Sequence, residues 1–150
     1  MDKQKFNPGK TGPILADTNA LTWHNIGEGI EIQLLRYSEV TGEYSLYVRM
    51  HPGSRIASHK HYSIGHFFIT KGELKYDQGS APKGVYGYES LGEIHNEARA
   101  DELTEYFFMG SGPTAFLDQN GEVEFILDWE FYKNALEDDI SHSVNEIKAS

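Results

Sequence analysis

The chain has 150 residues, 39% of them hydrophobic and 13% aromatic, enough for one folded domain with a real core rather than a disordered segment. A formal net charge of −10 without any basic block argues against nucleic-acid binding, because phosphate contact needs clustered Lys and Arg. The absence of cysteine rules out disulfides and thiolate metal ligation.

The N-terminus, Met1-Asp2-Lys3-Gln4-Lys5, has no apolar leader core, and no run approaches the roughly 18 apolar residues of a membrane span. These features suggest a cytoplasmic protein with no membrane partner. Residues 1–20 carry Pro8-Gly9 and Gly12-Pro13 and read as an arm attached to a single domain spanning 1–150.

A strand is predicted from Ile30 to Tyr37, with Ile30, Ile32 and Leu34 on one face. Thr41-Gly42-Glu43 then turns the chain. The next strand alternates, Tyr44, Leu46, Val48 and Met50 against Ser45, Tyr47, Arg49 and His51, until Pro52-Gly53 breaks it. Further strands are expected at 55–61, 66–71, 73–78, 84–89, 104–110, 114–118 and 122–127. Asn120-Gly121 signals a two-residue hairpin between the last two. Short strands at this rhythm describe an all-β sandwich or barrel. Residues 128–137 follow with near-helical spacing of apolar positions and Asp128 placed to cap. Residues 139–150 read as a polar tail.

Histidine is the chemically informative residue. His59 and His61, at i and i+2, share one face of an extended strand. His95, arriving on a neighbouring strand, would close a facial site of three imidazoles, suited to iron, zinc, copper or nickel. A lone buried histidine is usually structural, but here five of the seven histidines fall between positions 51 and 95. Glu89, six residues before His95, is a candidate to orient a ligand from behind, since a metal-bound imidazole usually gives its other N–H to a carboxylate or carbonyl. Arg49, Tyr47 and Tyr106 are considered as groups pointing into the barrel to orient a polar substrate. Packing remains the simpler role for each.

The frames around these histidines carry a family resemblance. Gly53, five residues, His59-x-His61, four residues, His66, five residues, Gly72 resembles the first motif of the cupin superfamily. Gly84, five residues, Ser90-x-Gly92, two residues, His95 resembles the second. The first motif usually has a glutamate ligand near position 66, where this chain has His66. The second usually has a proline and a later asparagine, where this chain has Ser90 and Arg99, with Asn96 next to the histidine. Loss of the glutamate is similar to the three-histidine branch, which includes the acetylacetone-cleaving and 2,4'-dihydroxyacetophenone dioxygenases and lies close to the cupin domain of zinc-binding anti-sigma factors.

The resemblance implies a double-stranded β-helix barrel of two antiparallel sheets with a short C-terminal helix, and a homodimer. It implies one divalent metal on His59, His61 and His95. Iron(II) is expected, with zinc, nickel and manganese as alternatives. The activity it implies is dioxygenase cleavage of a C–C bond in a small β-diketone or hydroxy-ketone, with O2 as co-substrate. The other class it allows is a non-enzymatic zinc-binding sensor. His66 can be a fourth ligand, a pocket group without a metal bond, or a strand histidine with no role. A metal that must hold a bidentate enolate and O2 together favours the pocket role, with His66 and Glu89 as the catalytic side chains.

Overall fold

The computed structural model describes residues 6–137. The polar tail expected at 139–150 and the first five residues of the arm lie outside that range. The described strands are β1 (His24–Gly27), β2 (Ile30–Tyr37), β3 (Tyr44–Met50), β4 (Arg55–Ile56), β5 (His59–His61), β6 (Gly65–Lys71) and β7 (Glu73–Tyr76). They continue with β8 (Gly79–Pro82), β9 (Tyr86–Glu89), β10 (Ile94–His95), β11 (Ala98–Arg99), β12 (Thr104–Gly110), β13 (Thr114–Leu117) and β14 (Val123–Leu127), and end in helix α1 (Trp129–Glu137). A six-stranded sheet runs β1-β2-β3-β12-β6-β9. Two four-stranded sheets run β10-β5-β13-β14 and β4-β11-β7-β8. Every pairing in the large sheet is antiparallel.

The period of two decides what each strand offers to the inside. Along β3, Tyr44, Leu46, Val48 and Met50 are buried, and along β6, Phe67 and Ile69 are. These meet Ile32 and Leu34 of β2, Tyr106 of β12, Leu74 of β7, Phe116 of β13 and Leu127 of β14 in one core between the sheets. Burying a side chain of this size contributes about 1.5–3 kcal/mol, and that is what holds such short strands in register.

Helix α1 starts where expected. Asp128 Oδ1 accepts hydrogen bonds from the N–H groups of Glu130 at 3.1 Å and Phe131 at 3.2 Å. This caps two of the orphan donors of the first turn. Tyr132 and Ala135 are buried, and Trp129 stacks on Tyr37 with ring centroids 5.6 Å apart.

Four expectations change. The strand expected over 55–61 is two strands in different sheets, because β4 pairs with β11 while β5 pairs with β10 and β13. The chain crosses between sheets at Ala57-Ser58. Strands β1, β8, β10 and β11 are additional to those expected; four residues long at most, they carry too few positions for a pattern to register. The hairpin at Asn120-Gly121 is a longer loop. The Asp118 N–H reaches the Glu122 carbonyl at 2.9 Å, and Gly121 N–H reaches the Asp118 carbonyl at 3.1 Å. A two-residue type I′ turn needs positive φ at both central residues. Gly121 has it, at 81°, and no described non-glycine residue does. Finally, described residues of the N-terminal arm do not extend away from the domain. Tyr37 N–H donates to the Pro8 carbonyl at 3.0 Å, and the buried Gln33 donates from Nε2 to the Thr18 and Leu21 carbonyls at 2.9 and 3.0 Å. The arm covers the outer face of β2 and β3, where Trp23 lies against Tyr47 and beneath the Arg49 guanidinium.

Candidate metal centre

Strand β5 turns His59 and His61 inward and Lys60 outward. Strand β10 runs antiparallel beside it with His95 directly opposite His59. On the other flank of β5, Phe116 pairs with His59 and Thr114 with His61. The three rings form a nearly equilateral triangle, with centroids 5.1, 5.2 and 5.2 Å apart. One nitrogen from each lies within 4.8 Å of the others. All three side chains are buried. His59 Nδ1 is 2.8 Å from the Ala57 carbonyl, to which it donates, leaving Nε2 free for the site.

Glu89 closes the fourth side. It ends β9 opposite Gly65, and its side chain turns inward, 11% exposed. Its Oε2 touches His61 Nε2, and its Oε1 is 3.6 Å from His95 Nε2. The contact with His61 has the closeness of an ion pair without the alignment of a hydrogen bond. Glu89 Oε2, His61 Nε2 and both ring nitrogens of His95 therefore have no hydrogen-bond partner among the described residues. Each such buried atom costs about 1–3 kcal/mol. A divalent cation at the triangle would satisfy several at once, so the residues present fit a metal. Glu89 thus lies against two of the three histidines, with its carboxylate oxygens at their Nε2 atoms.

The cavity in front of the histidines has a volume of about 120 Å³. Its walls are mostly apolar, including Ile32, Val48, Phe67, Phe108 and Phe116, and Tyr106 also lines it.

His66 is not in this cavity. It alternates with Phe67 along β6 and so points to the outer face of the large sheet, where its Nδ1 meets the Tyr86 hydroxyl and its ring lies 5.3 Å from that of Tyr88. The expectation of His66 as a ligand or pocket group is corrected: one step of strand periodicity separates the two faces. Tyr47 and Arg49 are likewise outside. Tyr47 bonds with Thr70 and Glu105 at 2.8 and 3.0 Å, and Arg49 pairs with Glu105 at 3.2 Å. Of the three groups considered for orienting a substrate, Tyr106 alone lines the cavity.

Charge and burial set the protonation states of the metal-free site. Burial drives His59 from 6.5 to about 4, opposed by its bond to Ala57 and reinforced by the neighbouring imidazoles. Burial would raise the Glu89 carboxyl, but His61 and His95 outweigh it and hold the group at about 2. Burial would lower His95, and Glu89 outweighs that, so its pKa is raised. A lowered histidine binds its proton less readily folded than unfolded. His59 therefore withdraws stability as pH falls from 6.5 towards 4, by up to roughly 3 kcal/mol. The contribution of Glu89 is complete above 4.5 and is lost as pH falls through about 2. That of His95 has the opposite sign to His59: it is present below 6.5 and lost as pH rises through its raised value. The urea midpoint of the metal-free protein is expected to drop between pH 6.5 and 4, and His59→Leu to remove most of that drop. An unchanged slope in the variant would show that His59 is not its source.

Comparison with known proteins agrees with this geometry. The sequence family described as the ChrR cupin-like domain matches residues 11–115. The acetylacetone-cleaving enzyme of Acinetobacter johnsonii is 32% identical over 107 residues, covering 67% of this chain and 70% of that protein. A crystal structure of an acetylacetone dioxygenase from the same organism superposes with a TM-score of 0.74 at 26% identity, over 90% of this chain and 97% of the other. The anti-sigma factor ChrR, solved in complex with SigE of Rhodobacter sphaeroides, matches with a TM-score of 0.55 at 11% identity, over 63% of this chain and 51% of that one. At that identity the likeness is one of fold.

Proposed function

This chain belongs to the ChrR cupin-like domain family, and from that premise we propose that it is an iron(II)-dependent dioxygenase cleaving a C–C bond of a small β-diketone or hydroxy-ketone. The observation that carries the proposal is the triangle of His59, His61 and His95 opening onto an apolar cavity, with Glu89 as the carboxylate beside it. The name of the Acinetobacter relative supports the ketone class. Zinc, nickel and manganese fit the same three nitrogens, and the choice of iron rests on the O2 chemistry.

The bound ion would supply Lewis acidity and redox chemistry. The protein's part follows from its residues. The Ala57 carbonyl fixes the His59 tautomer. Three neutral imidazoles leave the full charge of a divalent ion uncompensated by ligands, which favours a substrate bound as its enolate anion. Phe67, Phe108 and Phe116 keep bulk water from the reacting carbons. Glu89 receives the proton. In the metal-free site the imidazoles hold its carboxyl low. Ionised and buried beside the histidines, Glu89 Oε2 can take the proton of the carbon between the carbonyls. The Glu89→Gln variant is expected to keep its fold and lose roughly 10–100-fold in rate or metal affinity. A variant equal to the parent in both would remove Glu89 from the mechanism.

Metal analysis of the purified protein combined with oxygen uptake on acetylacetone tests the whole reading. Iron with stoichiometric O2 consumption and two cleavage fragments is the expected result. Zinc without uptake of O2 would favour the non-enzymatic sensor instead. A homodimer belongs to the same reading, though the arm no longer motivates it. Phe68, Tyr86, Tyr88, Phe107 and Met109 form an exposed apolar patch, 36–59% accessible, on the outer face of β6, β9 and β12. Light scattering is expected to give twice the monomer mass; a monomer at micromolar concentration would refute it.

A further inference from the structure

Among the polar groups of the cavity that the proposed reaction leaves unused, those of Tyr44, Tyr76, Tyr106, Thr114 and Tyr132, Tyr106 is a deeply buried one on the large sheet. It projects inward from the centre of the large sheet, paired with Val48 on β3 and Ile69 on β6, and is 5% exposed. The histidines sit on a different sheet lining the same cavity. The other buried tyrosines there are engaged with each other: the Tyr44 hydroxyl interacts with Thr114 and Tyr132. The Tyr106 hydroxyl has no hydrogen-bond partner among the described residues, and burial, followed by the nearby Glu89 charge, raises its pKa. It is therefore a neutral phenol with a donor to offer. Phenylalanine would give the same apolar wall, as it does at positions 67 and 108, without the cost of burying a hydroxyl.

We propose that Tyr106 is a specificity-determining residue that donates a hydrogen bond to a third oxygen of the substrate, one on a side arm beyond the two that chelate the metal. The inference rests on the dioxygenase reading for its β-dicarbonyl core and adds the substituent. A plain diketone uses both of its oxygens in chelation and has no further acceptor for Tyr106. A β-diketone with a hydroxyl, ether or further carbonyl oxygen on one arm meets both demands. In the free protein a water would satisfy the hydroxyl, and the side-arm oxygen would replace it.

The test compares two isosteric probes by calorimetry on zinc-loaded protein, where no turnover occurs. One is the β-diketone with methyl and propyl arms; the other has methyl and methoxymethyl arms, an ether oxygen replacing one methylene. The parent is expected to bind the ether about 3–10-fold more tightly, the worth of one neutral hydrogen bond. In Tyr106→Phe the ratio of the two dissociation constants is expected to collapse to about one. The melting temperature of that variant should hold or rise, since the hydroxyl bonds nothing in the protein. Equal affinity of the parent for both probes, binding of neither, or a ratio unchanged in Tyr106→Phe overturns the proposal. A melting temperature lowered by more than about 4 °C also overturns it, because the hydroxyl would then be holding the fold. Oxygen uptake by the iron-loaded protein is read separately. If the ratio collapses without uptake of O2, the dioxygenase reading fails and Tyr106 stands. Uptake with an unchanged ratio gives the reverse.

Discussion

His59→Ala combined with His95→Ala is expected to abolish stoichiometric binding of a divalent metal. The two residues face each other across the β5–β10 pair, so the double variant removes two corners of the triangle and leaves His61 alone with Glu89. Loss of second-sphere partners around a metal typically costs about 10–100-fold in affinity. Loss of two ligands must exceed that, and activity should fall below detection with the metal. Metal content after dialysis reads the result directly, and stoichiometric metal in the double variant would sink the assignment of the site. Removing His95 takes away two buried nitrogens that lack partners in the metal-free protein, whereas removing His59 leaves the Ala57 carbonyl without its donor, so folding of the variant has to be read alongside its metal. Circular dichroism with the parental strand signal separates ligand loss from unfolding.

The histidine triangle is legible in the sequence because it needs very little beyond local rules. Two histidines at i and i+2 share a face whatever the sheet does, and glycines punctuate the frames that bring His95 alongside. The alternation along β3 sets Tyr47 and Arg49 opposite the inward Tyr44, Leu46, Val48 and Met50, which overrides their consideration as groups pointing into the barrel. The same rule, applied to β6, places His66 on the outside, since Phe67 and Ile69 claim its core face. Likeness to the first cupin motif, which usually has a glutamate ligand near position 66, points inward instead, and the period of two outweighs that likeness. Pairing of distant strands is a different matter. Glu89 reaches the histidines because β9 lies beside β6, and Tyr106 enters the cavity because β12 lies between β3 and β6. Neither adjacency leaves a mark in a window of a few residues. The two-residue strands β10 and β11 are below the length at which alternation has meaning, and the sheet change at Ala57-Ser58 lacks the Gly or Pro that usually announces one.

Gly72→Ala is expected to be among the most damaging single changes in the chain, by at least about 3 kcal/mol, from two independent causes. The residue has φ of 73°, a left-handed conformation that costs a residue with a Cβ roughly 1–2 kcal/mol. A Cβ there would also lie 2.3 Å from the Leu103 carbonyl oxygen and 2.8 Å from Thr104 Cα, backbone atoms that cannot rotate away. The surroundings are already committed. Gly72 offers its carbonyl to Lys83 N–H at 3.0 Å, and Thr104 Oγ1 bonds both the N–H and the carbonyl of Glu73 at 3.1 Å. Gly42 supplies the control. Its φ is 78° but a Cβ there meets nothing within 4 Å, so Gly42→Ala should show the conformational cost alone. At about 2–4 °C per kcal/mol for a domain of this size, the melting temperatures of the two variants should differ by several degrees, and equal values would mean that the contact at Leu103 relaxes freely. The consequence for the site follows from position. Leu103 and Thr104 lead into β12, just ahead of Tyr106, so any displacement that accommodates the methyl group moves the cavity wall opposite the histidines. A Gly72→Ala protein that still folds should bind metal through an intact β5–β10 pair while its grip on ligands in the cavity weakens.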